Sequence, residues 1–150
     1  MGRPVRIKVQ MIFLAMLASI AFIAPPVNCA YSQQQTEQSL GPGWIYVNET
    51  QDWVFWVHAP SRVKRGDIAG IWVVRNSRAM ENASFGSFQS VRVFYEYNCT
   101  SRQSRASELS WHSRLNARGD NIGSRRGDSE WGNVPPQTIL EDVMLVACRR

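Results

Sequence analysis

Histidine is scarce in this 150-residue chain: only His58 and His112 occur, and neither stands at the spacing of a metal site or of a nucleophile and its base. No glycine-rich loop of the kind that cradles phosphate is present. With these groups missing, the sequence offers no catalytic centre, no metal site and no cofactor site, and a binding or structural protein is expected. A long apolar run is also missing. The longest, Met11 to Ala24, falls short of the ~20 residues that a membrane-spanning helix needs, and a polar, glutamine-rich stretch follows it instead of a basic flank.

What the first 30 residues do contain is the order of a secretory leader. Arg3, Arg6 and Lys8 precede the apolar run, and Pro25-Pro26 closes it. Residues 1–30 are therefore read as a signal peptide, with cleavage expected after Ala30, although Asn28 fits the small-residue rule poorly. Lipid attachment at Cys29 is the rival, and Pro26, Val27 and Asn28 ahead of it do not resemble a lipoprotein signal. The leader takes three of the 17 basic residues and none of the 12 acidic ones, leaving 14 against 12, a net +2. So slight an imbalance gives no reason to expect nucleic acid as the partner. Residues 31–43 (YSQQQTEQSLGPG) read as a flexible polar lead-in, and residues 44–150 as one small domain with a modest core.

Of the three cysteines, the leader removes Cys29 and leaves Cys99 and Cys148, which an oxidising compartment would join; two unpaired buried thiols are the alternative. From Trp44 onward, short runs rich in Val, Ile, Trp, Tyr and Phe alternate with Gly, Pro, Asn and Asp, the pattern of antiparallel strands. Strands are expected at Trp44–Asn48, Trp53–His58, Ile68–Arg75 and Ser90–Asn98, with weaker signals at Gln103–Ser113 and Asn121–Arg125. Turns fall between them, notably at Asn48 to Asp52, Arg65-Gly66-Asp67 and Gly119-Asp120. After Val134-Pro135-Pro136 the period changes. Thr138 and Glu141 have the spacing of a capping box, and Leu140, Val143, Met144, Ala147 and Cys148 then form one helical stripe. In the fourth strand Val91, Val93, Tyr95, Tyr97 and Cys99 share one face and Arg92, Phe94, Glu96 and Asn98 the other. The expected fold is α+β: an antiparallel sheet of about six strands with a C-terminal helix disulfide-tethered to one face.

These residues resemble the surface-adhesin protein E family of exported bacterial proteins. The resemblance is carried by Tyr95-Glu96-Tyr97-Asn98-Cys99, the Arg-containing stretch Thr100 to Arg105, and Trp131 with Val134-Pro135-Pro136 leading into a helix with Glu141 and a terminal Cys148. Ala59-Pro60-Ser61 ahead of a strand with Trp72 also fits. Gln137 stands where the family often has glycine, the loop expected at Met80 to Phe88 departs from the pattern, and Arg149-Arg150 extend beyond the cysteine. The resemblance implies a sheet with a disulfide-bonded helix, frequent dimerisation and a location outside the cytoplasm. It further implies a periplasmic, surface or secreted binding protein, an adhesin for host extracellular-matrix or cell-surface molecules, with no transmembrane anchor in its mature form. The alternative is a self-associating envelope protein without a host ligand.

The second and third strong strands are apolar on both sides: Trp53, Phe55 and Val57 against Val54 and Trp56, and Ile71 and Val73 against Trp72 and Val74. One helix covers one face, so the other needs a second copy of the chain, a ligand, or a loop such as Met80 to Phe88 folded over it. Trp56, Trp72 and Phe94 are the aromatic binding candidates on that second face. Arg102 and Arg105 open a basic stretch that also holds Arg114, Arg118, Arg125 and Arg126, fit for an acidic polysaccharide or a surface lipid, or simply a solvated strand face. Three Arg-Gly-Asp triplets occur, Arg65-Gly66-Asp67, Arg118-Gly119-Asp120 and Arg126-Gly127-Asp128. On an exposed loop this is the tripeptide that integrins recognise. Turn chemistry in an Arg-rich chain is the preferred explanation, since glycine supplies positive φ and Asp closes turns.

Overall fold

Strand-forming runs joined by short turns pair with their chain neighbours, and the sheet grows as a meander. The computed structural model describes residues 40–128 and 130–149. The expected leader (1–30) and all but the last four residues of the expected lead-in lie outside the described residues. The strands are β1 (Trp44–Glu49), β2 (Trp53–His58), β3 (Val63–Arg65), β4 (Ile68–Ala83), β5 (Gly86–Asn98), β6 (Gln103–Arg114), β7 (Arg118–Arg126) and β8 (Gly132–Asn133), followed by helix α1 (Ile139–Cys148). All pairings are antiparallel, in the order β1-β2-β4-β5-β6-β7. Two short strands complete the sheet of eight: β3 continues along β4 where β2 ends, and β8 lies along β6 beyond β7.

Two expectations are corrected. Met80 to Phe88 is not a loop. β4 and β5 run on through it and turn only at Ser84-Phe85, forming one hairpin with an irregular register between Asn76 and Glu81. Nor is Gly119-Asp120 a turn. Both residues lie inside β7, opposite the single residue Ser113, as a bulge in which Gly119 takes φ +73 and the Asp120 N–H donates to Ser113 Oγ at 2.9 Å.

The helix-side face carries the core. Val57, Ala69, Ile71, Val73 and Tyr97 from the sheet close against Val143, Met144 and Ala147 from α1, with Val134 beside them. Further along the same face the helix no longer reaches, and the β4–β5 tip takes over. There Phe88, Val91 and Val93 gather Trp53, Leu109, Trp111 and Ile122, and the Phe85 ring lies 5.0 Å from that of Trp111.

Several links fix α1. Cys99, just past the end of β5, is bonded to Cys148 in the last turn, with Cα atoms 5.7 Å apart. The helix start is capped by Thr138, whose Oγ1 accepts from the Glu141 N–H at 3.4 Å. Glu141 returns the bond one residue earlier than a capping box requires. Its carboxylate accepts from the Gln137 N–H at 2.6 Å, and Gln137 holds φ +60, a conformation that glycine adopts more readily. Glu141 is also ion-paired with Arg102.

The Gln137 N–H first, and the Arg102 guanidinium second, hold the Glu141 carboxyl below the ordinary glutamate value of 4.5. A depressed carboxylate stabilises the fold above its unfolded pKa, and that contribution is lost as pH falls through the folded one. We therefore expect the thermal midpoint to fall on acidification below about pH 4.5, and this step to shrink in Glu141→Gln. A pH series of melts on both proteins checks it; equal acid sensitivity would place the titrating group elsewhere.

Candidate functional site: the open face of the sheet

Alternation that buries Val57, Val73 and Val93 under the helix turns their neighbours to the opposite face. Cross-strand register places Val54 and Trp56 of β2, Gly70, Trp72, Val74 and Asn76 of β4, and Ser90, Arg92, Phe94 and Glu96 of β5 side by side there. Arg105, Glu108, Ser110 and His112 of β6 follow, then Ser124 and Arg126 of β7. Helix α1 does not reach this face. The β4–β5 tip, expected as a possible cover, lies over the helix-side face instead. The β6–β7 turn closes one end: Asn76 exchanges side-chain and backbone bonds with Asn116 at 2.6 and 2.7 Å, and Ser90 Oγ bridges Arg114 and Ala117.

The centre of the face is an aromatic and cationic stack. Trp72 meets Phe94 edge-on at 5.0 Å, and the Arg92 guanidinium lies 3.9 Å from the Trp72 ring centroid. Phe94 can lie flat because Gly70 has no side chain; a Cβ there would come within 2.6 Å of the Phe94 ring. Farther along, Arg105 bonds Glu96 at 2.7 Å and stacks over Trp131 at 4.7 Å. On the other side, Tyr46 of β1 packs edge-on against Trp56 at 5.6 Å. Two grooves flank the stack. One of about 500 Å³ runs between Trp72, Arg92 and Arg126, and one of about 480 Å³ between Val63, Phe94, Arg105 and Trp131.

Arg92 stands on this face without a carboxylate partner among the described residues. Its Nε is sealed from solvent with no hydrogen-bond partner. Burial first, and the charge of Arg92 second, hold the His112 imidazole below its ordinary pKa. His112 Nε2 lies 3.0 Å from Ser110 Oγ, and its buried Nδ1 has no partner. Among the described residues no three His, Cys, Asp or Glu side chains gather as a metal site would require.

Of the candidates read from sequence, Trp56, Trp72, Phe94 and Arg105 come together on this face, with Arg126 at its β7 margin. Arg102 does not join them; it is paired to Glu141 at the helix start. The three triplets are separate. Gly66, at φ +59, turns β3 into β4. Gly119 forms the β7 bulge with Arg118 and Asp120 exposed beside it. Gly127 is pressed against β6, where its N–H donates to Ser107 O at 2.9 Å, and Asp128 is exposed. Sequence reasoning placed Arg92 on this face without singling it out as a binding residue. The alternation was the only signal, because its stack on Trp72 depends on the β4–β5 register.

The sequence model of the surface-adhesin protein E family matches residues 44–149. No curated protein matches the chain. Among solved structures, Haemophilus influenzae protein E superposes with a TM-score of 0.59 at 14% identity, covering 84% of this chain and 90% of that one. Its crystal form II gives the same TM-score and identity, over 72% and 88%. At this identity the likeness is one of fold.

Proposed function

Since the chain belongs to the surface-adhesin protein E family, we propose that it is an exported protein that attaches to host extracellular-matrix or cell-surface molecules through its open sheet face. No catalytic step is assigned to it. The observation that carries this reading is a sheet face left uncovered by the helix, with Trp56, Trp72, Phe94, Arg92 and Arg105 set side by side. Tryptophan, tyrosine and arginine are enriched among the few residues that carry most of the energy of a protein contact. Among the described residues no helix is long and apolar enough to cross a membrane.

The test is attachment of the oxidised protein to matrix-coated surfaces and to cultured cells. Arg105→Ala combined with Trp131→Ala is expected to weaken attachment about tenfold, the loss of one interface hot spot. Asp120→Glu combined with Asp128→Glu is expected to leave it unchanged, because backbone geometry accounts for the glycines of both triplets. Undiminished attachment by the folded Arg105/Trp131 variant would refute the assignment of this face.

A second reading is a self-associating envelope protein. It is favoured by the outer strand β1, where Ile45 and Tyr46 are 46% and 47% exposed. A homodimer paired there is expected to show twice the chain mass at micromolar concentration by light scattering, and to revert to monomer in Ile45→Lys.

A further inference from the structure

The groove between Trp72, Arg92 and Arg126 combines features that the attachment reading does not by itself explain. Arg92 is a positioned cation: its Nε is sealed from solvent, its guanidinium is stacked on Trp72 at 3.9 Å, and no carboxylate bonds it among the described residues. A side chain already ordered in this way loses little entropy when it meets an anion. Arg126 stands across the groove on β7, exposed and aligned with Glu108 in the β6–β7 register. The rest of the lining is short and polar: Ser110 of β6, and Asn121 and Ser124 of β7, whose side chains bond each other at 2.8 Å.

Glu108 decides the ligand class. A trap for polyanions in general would be weakened by an exposed carboxylate between its two arginines. A carboxylate accepts hydrogen bonds and donates none. A ligand that satisfies the whole groove therefore brings an oxyanion to the arginines and hydroxyl donors to Glu108. We propose that this groove binds an oxyanion-bearing sugar, a unit of an acidic host-surface polysaccharide. Its volume of about 500 Å³ lies in the range of small-ligand sites. The inference rests on the attachment reading and names the chemistry that one part of the open face recognises.

The experiment measures binding of the oxidised full chain to defined probes at fixed ionic strength. Hyaluronan oligosaccharide carries carboxylates and hydroxyls, heparin oligosaccharide adds sulfates, dextran is neutral, polyglutamate has carboxylates without hydroxyls, and single-stranded DNA is a phosphate polyanion. Binding to hyaluronan or heparin oligosaccharide above the other three is expected, and the preference between those two identifies the oxyanion. Arg92→Gln and Arg126→Gln are each expected to weaken binding about tenfold, and Arg92→Lys about fivefold, because a point charge replaces a bidentate fork. Glu108→Gln is the discriminating variant: it weakens sugar binding severalfold if the carboxylate accepts hydroxyls, and strengthens it if the groove only collects negative charge. Glu108 and Arg126 are exposed, so both variants are expected to keep the fold. Equal binding of DNA, polyglutamate or dextran, tighter binding by Glu108→Gln, or unaltered binding by Arg126→Gln would overturn the proposal. Cell attachment by the wild-type protein without binding of hyaluronan or heparin oligosaccharide would sink this inference alone. Loss of attachment to every surface by the wild-type protein would sink the reading beneath it.

Discussion

Replacing Cys99 and Cys148 by serine is expected to lower the thermal midpoint by roughly 15–30 °C. The two residues lie 49 apart. Closing a loop of that length restricts the unfolded chain by about 4 kcal/mol in the chain-entropy model. A domain of this size shifts by about 4–8 °C for each kcal/mol. The loss is a large share of the total stability of a small domain. The bond also holds the end of α1 whose Ala147 is fully buried against the sheet, so the double variant should expose the helix-side core first. Circular dichroism melts, with and without reductant, measure the effect. A serine pair that melts within a few degrees of the wild type would mean that the core alone seats the helix, and that the link adds little.

Gly127→Ala is the second change with a large expected effect. A methyl group at this position would come within 1.6 Å of the Ala106 carbonyl oxygen. The obstacle is backbone, so no rotamer relieves it. The margin of β7 would have to lift from β6 at the Ser107 bulge, where the Gly127 N–H now donates. A loss of about 3 kcal/mol is expected, at the upper end of overpacking effects. Asp128→Glu, one residue on and exposed, is expected to change stability by less than about 0.5 kcal/mol. Urea unfolding midpoints of both variants test this; an alanine variant as stable as the wild type would show that the strands need not approach so closely. The third Arg-Gly-Asp triplet thus contains a glycine that the fold demands whether or not any receptor reads it.

Much of the architecture could be read from residue order because its signals are local. Thr138, Glu141 and the stripe Leu140, Val143, Met144, Ala147 announce α1. The aromatic and β-branched runs announce β1, β2, most of β4 and most of β5. The cysteine count points to the link between Cys99 and Cys148. Signals failed where neighbours in space set the outcome. The β4–β5 hairpin runs past Arg75 through Arg78, Glu81 and Asn82, polar residues that break the apolar alternation where the register is irregular. β3 and β8, three and two residues long, are too short to carry a period and exist because β4 and β6 offer unpaired backbone beyond β2 and β7.

The open face was half legible for the same reason. Its aromatic residues stand out in sequence, and alternation puts Trp72 and Phe94 opposite the helix-side core. The pairing of Arg92 with Trp72 requires the β4–β5 register, and the stack of Arg105 on Trp131 requires β8 to bring a distant tryptophan back to β6. Arg102, which sequence reading grouped with the binding arginines, is drawn away by Glu141, a residue almost forty positions later whose place depends on the helix already being seated.

The bulge at Gly119 also shapes the free edge of the sheet at β7. It interrupts the hydrogen-bonding row along the outer rim of β7, where Arg118, Arg125 and Arg126 are exposed. Two such rims brought together repel each other and find their backbone groups out of step. Addition of a further strand is therefore disfavoured along that rim, which keeps crowded copies of the protein from extending the sheet on the β7 side.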